Sequence, residues 1–287
     1  MTPFIQALFH NSFLQMALLA SFFASISSGI IGSYVVVRRI ASIAGCISHT
    51  VLGGMGVSLW LQRVWHIEWM HPMLGAFVAA IMSAILLGWI QLKFREREDA
   101  LIATIWSTGM AIGVIFLSLT PGSTSELMNF LFGNILWISK YDLLSLAALD
   151  CLILILVCIY YQPFLALCFD EEQAKLQKIP VRSLYFLLLC LIALSIVLLI
   201  QIIGTVLVLA LLTIPATIAS QLSQRLQPMM LLACLLSGFF SFIGLELAYD
   251  FNWPPGSTIA LTAAIAYLFV LLAKRKFFLQ KRATHRP

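Results

Sequence analysis

Charge is what this sequence has least of. Of 287 residues only 12 are acidic and 17 are basic, too few to cover the surface of a water-soluble domain of this length. No stretch is long and polar enough to fold as a separate soluble domain, so ATPase or receptor work must come from partner chains. Catalytic signatures are absent as well: there is no P-loop, HExxH, nucleophile elbow or pair of catalytic carboxylates. None of the six cysteines (Cys46, Cys151, Cys158, Cys168, Cys190 and Cys234) forms a CxxC pair, so neither a zinc knuckle nor a disulfide framework is supported. They read as small buried apolar residues. The formal net charge of +5 is no mark of nucleic-acid binding, because the basic residues sit between apolar runs.

What the chain has in abundance is apolar length. It is 61% hydrophobic, with a mean hydropathy of +1.00. This composition predicts an all-α polytopic membrane protein, one transmembrane domain over residues 1–287 with a short basic tail from 274 onward. Residues 1–10 carry no basic side chain, and residues 12–37 run apolar up to Arg38-Arg39. A cleaved signal peptide places its positive charge before the apolar run, so 12–37 reads as a retained span. Ser25, Gly29 and Ser33 give that span a small-residue stripe suited to close helix packing.

Further spans are predicted near residues 41–61, 71–92, 100–119 and 142–161. Between them KFREREDA (Lys93 to Ala100) is a solvated loop and TPGSTSELMN (Thr120 to Asn129) is rich in turn residues. LFGNILWI is too short to cross a bilayer, hence interfacial or re-entrant. The loop from Phe169 to Arg182 is polar, with a helix-like stretch ended by Pro180. Residues 184–219 stay apolar for far longer than one crossing, with Gln201 and Gly204 near the middle, which predicts two spans joined by a tight turn there. Pro215 is expected to end the second, leaving ATIASQLSQRLQP as a short amphipathic segment. Spans near 229–248 and 257–273 follow, separated by YDFNWPPGS.

Alternating the loops puts Arg38, Arg39, Lys93, Arg95, Arg97, Lys175, Lys178, Arg182, Arg225 and the C-terminal cluster on one side, and only Arg63 and Lys140 on the other. The positive-inside rule makes the crowded side cytoplasmic. Nine spans result, with the N-terminus out and the C-terminus in; eight result if the first span or the sixth–seventh pair is irregular.

Ionisable residues inside membrane spans are costly and call for a reason. Three stand out: His49, Asp150 and Glu246. On a helix His49 shares a face with Ser42, Gly45, Cys46, Gly53 and Gly56. Such a strip suits either close helix packing around a hydrogen-bonded histidine or a solute pathway with one metal-capable ligand. Asp150 lies mid-span beside Cys151, as a bundle-facing acid or a pathway group. Glu246 lies near the outer end of its span, facing water or drawing cations to an outer mouth. In a short loop His66, Glu68 and His71 offer nitrogen and oxygen donors within six positions.

Five stretches together resemble the membrane (permease) subunits of bacterial zinc, manganese and iron ABC importers. They are GSYVVVRRIASIAGCISHTVLGG, LFGNIL, FDEEQA, IIGTVLVLALLTIPATIA and PPGSTIAL, in that order over most of the chain. The resemblance implies a permease in the bacterial inner membrane that moves a divalent metal ion by alternating access and holds no permanent cofactor. It also implies three protein partners: a cytoplasmic ABC ATPase, an extracytoplasmic metal-binding protein and a second permease subunit, identical or paired.

Family members carry a pathway ligand where His49 stands, and many carry an aspartate four residues earlier; here that position is Gly45. The loss removes a hard anionic donor, for which Cys46, Ser48 or Asp150 is the candidate substitute. The segment from Ala216 to Leu226, with Ser220, Gln221, Gln224 and Arg225, resembles the coupling helix that meets the ATPase, and the Asp170-Glu171-Glu172 loop is a second candidate. A permease for a metal chelate such as haem, a siderophore or cobalamin shares the proline-terminated segment but needs no midplane histidine. A secondary transporter predicts inverted repeats, and no convincing repeat is present.

Overall fold

The computed structural model describes residues 3–93, 98–122, 124–133, 135, 138–169 and 171–283. Among them no strand occurs, and twelve helices follow one another. In order they are α1 (Pro3–His10), α2 (Ser12–Val37), α3 (Ala41–Val64), α4 (Pro72–Lys93), α5 (Glu98–Ser118) and α6 (Thr124–Phe132). The remainder are α7 (Lys140–Ile159), α8 (Tyr161–Phe169), α9 (Glu171–Leu176), α10 (Val181–Leu222), α11 (Leu226–Phe251) and α12 (Pro255–Ala283). Eight are long and apolar enough to cross a membrane: α2, α3, α4, α5, α7, α10, α11 and α12. The all-α polytopic expectation holds.

Local chemistry sets the ends of these helices. Asn11 accepts a hydrogen bond from the Phe13 amide at the start of α2, satisfying one of the donors a helix leaves open. Ser139 and Asp142 form a reciprocal capping box at the start of α7. Where α2 stops, Arg39 turns into the left-handed region at φ 58°, and Asn252 does the same after α11 at φ 53°. Residues Pro3–His10, unassigned from sequence, form α1, whose Phe4 packs edge-on against Phe242 and Tyr249 of α11.

The 42-residue α10 is two limbs rather than one rod. Gly204 sits at φ 79°, ψ 160° inside it, a conformation essentially confined to glycine. Near the start of α10 the Tyr185 hydroxyl donates to Gln91 near the end of α4, and the Arg38 guanidinium lies 5.3 Å from the Tyr185 ring. Leu212, far beyond Gly204, nevertheless touches Gly32 of α2 only a few residues before Arg38. A straight helix would carry Leu212 roughly 40 Å from Tyr185 at 1.5 Å per residue. The chain therefore folds back at Gly204, and α10 supplies two limbs to the bundle.

The apex of this hairpin is covered by backbone. Gly133, itself at φ 72°, abuts Ile203 and Gly204 where α6 ends, and Gly256 at the start of α12 approaches the Phe132 carbonyl. The LFGNIL stretch thus ends α6 and caps the apex with Gly133 and buried Ile135; its Asn134 and Leu136, like Trp137 beyond, lie outside the described residues.

One expectation is corrected here. Pro215 does not end the second limb: the helix runs through it to Leu222 and stops at extended Ser223. No separate helix spans Ala216 to Leu226, and α11 begins at Leu226. In an apolar setting no water is available to take up freed backbone groups, so a helix continues past proline more readily than in solution. Ala216 is consequently buried at 0% exposure.

The core is built on α2, which packs against both α10 and α11, while α3 packs against α4, α5 and α10. Small residues set these distances. Gly32 lies on the Leu212 backbone and Gly29 on that of Cys234, and Ser28 shares a 3.1 Å hydrogen bond with Ser237. The basic face is one surface. Lys93, Glu171, Lys175 and Arg182 line one shallow cavity there, and Arg38 donates to the Leu167 carbonyl at 2.8 Å. Arg63 lies at the opposite face, donating to the Pro121 carbonyl at 2.9 Å.

Candidate metal pathway

Helices α3 and α5 run parallel, and contacts recur between them at almost constant offset. Cys46 meets Ile102, Gly53 meets Gly109 and Gly56 meets Gly113. A Cβ at Gly53 would stand 2.8 Å from the Gly109 carbonyl oxygen, and one at Gly56 2.7 Å from that of Gly113. Glycine on both sides lets the two backbones touch. The strip of small residues around His49 is therefore a packing seam with α5.

His49 sits at the edge of that seam, half-buried. Its ring lies on the indole of Trp106, with centroids 4.6 Å apart and planes 15° from parallel. Nδ1 is sealed from solvent and has no hydrogen-bond partner among the described residues. One turn earlier Gly45 faces the same indole; a Cβ there would lie 3.2 Å from the Trp106 ring. The place from which a side chain at position 45 would point is filled by tryptophan.

The candidate substitutes for the missing carboxylate are otherwise engaged. Cys46 is buried, and its thiol donates to the Ile102 carbonyl at 3.4 Å. The Ser48 hydroxyl donates to the Gly45 carbonyl at 2.7 Å within its own helix. Asp150, 4% exposed, lies on another seam, beside Ser27 of α2 and facing Cys234 of α11. The main packing of α7 is against α2, whereas His49 faces α5, so the two groups belong to different layers. Glu246 is half-buried on α11. His66, Glu68 and His71 are exposed, and no cluster of three or more His, Cys, Asp or Glu side chains suited to a metal occurs among the described residues.

Chemically the arrangement offers one stackable imidazole with, among the described residues, no cluster of carboxylates or thiols around it. A neutral imidazole binds zinc, copper, iron and nickel more readily than it binds harder ions. As a candidate ligand it would offer a single donor, which suits a passing ion better than a resident one. Beyond it an apolar cleft of ≈ 770 Å³, lined by Thr50, Gly53, Met70, Ile105 and Gly109 among others, carries no charged residue on its walls.

Trp106 was not apparent from sequence as part of this site. A signal was present: Trp106, Gly109 and Gly113 repeat the spacing of His49, Gly53 and Gly56 almost residue for residue, marking two helices that pair in register.

On the basic face, α8, α9 and the turn after α10 enclose a groove of ≈ 730 Å³ lined by Tyr161, Gln173, Gln177, Gln224 and Arg225 among others. Ser220, Gln224 and Arg225 are exposed and Gln221 is half-buried. The Asp170 position lies outside the described residues, while Glu171 and Glu172 open α9.

The sequence profile of the ABC 3 transport family matches residues 10–274. A probable metal transport system membrane protein of Chlamydia pneumoniae is 45% identical over 277 residues, covering 95% of this chain and 94% of that protein. A manganese transport system membrane protein of Listeria innocua is 33% identical, covering 94% and 93%. Among solved structures, PsaBC from Streptococcus pneumoniae in complex with Fab superposes with a TM-score of 0.82 at 31% identity, over 93% of this chain and 94% of that one.

Proposed function

This chain belongs to the ABC 3 transport family, and from that premise we propose that it is the membrane permease of an ATP-driven importer of a divalent transition metal. The chain makes no covalent chemistry of its own. Its cargo passes by alternating access, and hydrolysis occurs in a separate ABC ATPase. The observation that carries the reading is an ionisable imidazole within a helix long and apolar enough to cross a membrane, in a chain whose residues 10–274 match the ABC 3 transport family. The names of the chlamydial and listerial relatives, a metal and a manganese transport protein, support the cargo class.

The basic face is the cytoplasmic one on this reading, by the positive-inside rule, and nine crossings then put the N-terminus outside and the C-terminus inside. The ATPase docks on the groove between α8–α9 and the turn carrying Ser220, Gln221, Gln224 and Arg225. Ala216, buried above that turn, transmits its movement rather than touching the partner. A binding protein delivers the ion at the opposite face, and a second permease subunit completes the pathway. Within the chain His49 is the pathway ligand. Cys46 packs in the same α3–α5 seam, whereas Asp150 lies on the side where α7 meets α2 and Glu246 on α11.

The test is uptake into proteoliposomes holding this chain with its ATPase and binding protein, with zinc, manganese and iron offered in competition. ATP-dependent uptake that collapses in His49→Ala, while the ATPase still co-purifies, is expected. Uptake that needs neither ATP nor ATPase would overturn the reading.

A further inference from the structure

We propose that Trp106 is the positioning residue for His49 and sets which ion that station favours. The inference rests on the permease reading above and concerns a residue to which that reading gives no role.

A histidine that serves a metal normally donates its second ring N–H to a carboxylate or carbonyl, and that bond fixes the plane of the ring. His49 has no such bond: Nδ1 is buried and unpartnered among the described residues. What holds its plane is the indole of Trp106, nearly parallel at 15° and 4.6 Å between centroids. The face of an aromatic ring here replaces the hydrogen bond.

The same indole decides what else can reach the cargo. It stands 3.2 Å from where a Cβ on Gly45 would be, so a side chain at position 45 meets the ring before it meets the ion. No oxygen donor approaches from that direction. Zinc accepts imidazole readily, whereas manganese depends more on carboxylate and other oxygen donors. A station made of imidazole and indole, closed to a carboxylate one turn away, favours zinc over manganese. Gly45 and Trp106 thus act as a pair: glycine makes the room and tryptophan occupies it.

The experiment is competitive uptake of zinc and manganese by the reconstituted full transporter, wild type against Trp106→Ala, Trp106→Phe and the double variant Gly45→Asp/Trp106→Ala. An aromatic stack of this kind contributes enough orientation to predict a KM for zinc raised roughly three- to tenfold in Trp106→Ala, with the maximal rate changed less. Trp106→Phe keeps a stacking face and restores most of the KM. The double variant gains an oxygen donor and moves the zinc-to-manganese preference toward manganese. A second readout is independent of turnover: the proton resonances of His49, lying over an indole, carry a ring-current shift that Trp106→Ala abolishes and Trp106→Phe reduces.

If Trp106→Ala leaves the zinc KM and the ion preference at wild-type values, the inference fails while the transport reading stands. Equal loss in Trp106→Ala and Trp106→Phe, with no effect of the double variant on preference, also refutes it, since that pattern belongs to packing alone. Absence of ATP-dependent metal uptake in the wild type would instead remove the transport reading.

Discussion

Replacing Gly204 by alanine tests the hairpin directly, and the structure fixes the size of the effect. Two costs combine at this one position. The backbone at φ 79°, ψ 160° is reserved for glycine, and forcing another residue into such a region costs about 1–3 kcal/mol. The added methyl would also meet the Gly133 amide and stand 2.5 Å from the Phe132 carbonyl carbon. Those are backbone atoms, which cannot swing aside as a side chain end can, so overpacking adds about 1–3 kcal/mol. Together Gly204→Ala should destabilise the bundle by about 2–6 kcal/mol. Gly238→Ala is the control. A Cβ there stands 3.5 Å from the Ser25 hydroxyl, ordinary contact distance, and helix propensity favours alanine by up to about 1 kcal/mol. Reversible unfolding of the purified chain in mixed micelles, followed by circular dichroism, measures both. Gly133→Ala should resemble Gly204→Ala, and the double variant should cost less than the sum because both methyls invade one contact. A Gly204→Ala protein within about 1 kcal/mol of wild type would refute the reasoning, since no hairpin apex of this geometry tolerates a side chain so cheaply.

Arg38 should matter far more to stability than its ion-pair partner. Its 2.8 Å hydrogen bond to the Leu167 carbonyl is charge-assisted, so Arg38→Ala should cost about 1.5–3 kcal/mol. Glu171 lies 3.9 Å away and a third exposed, so Glu171→Gln should cost less than about 1 kcal/mol in the same unfolding assay. Equal effects would show that the ion pair to α9 counts for as much as the hydrogen bond to the Leu167 carbonyl of α8. On α8, burial pushes the Cys168 thiol up to about 12, with Arg38 pulling weakly the other way. In a variant keeping only that cysteine, the thiolate at pH 8 is about one part in ten thousand. Iodoacetamide should therefore label it at pH 8 only after denaturation, and fast labelling of the folded protein would contradict the burial.

The crossings were legible because bilayer thickness imposes a length that the eye can measure along the chain. Even the fold at Gly204 could be anticipated, since residues 184–219 are too long for one crossing and too apolar for a loop. Pro215 misled because its effect depends on surroundings: the rule that it ends helices is a rule about water. His49 was visible as an ionisable residue out of place. Trp106 was not, because tryptophan in a membrane helix is unremarkable until its partner is known. That partner lies 57 positions earlier, on a helix reached by way of α4. What sequence reading lacked was the pairing of α3 with α5, and with it the fact that the vacancy at Gly45 is filled.

The α10 hairpin also bears on how the protein is made. Between its two limbs there is no charged loop, only Gly204 with Gln201, Ile202, Ile203 and Thr205 beside it. A ribosome delivering this stretch presents some forty residues without a lysine, arginine, aspartate or glutamate after Arg182. The turn that separates the limbs is met by the end of α6 and the start of α12. The part of that cover supplied by Gly256 becomes available only after α12, the last of the described helices, has been synthesised.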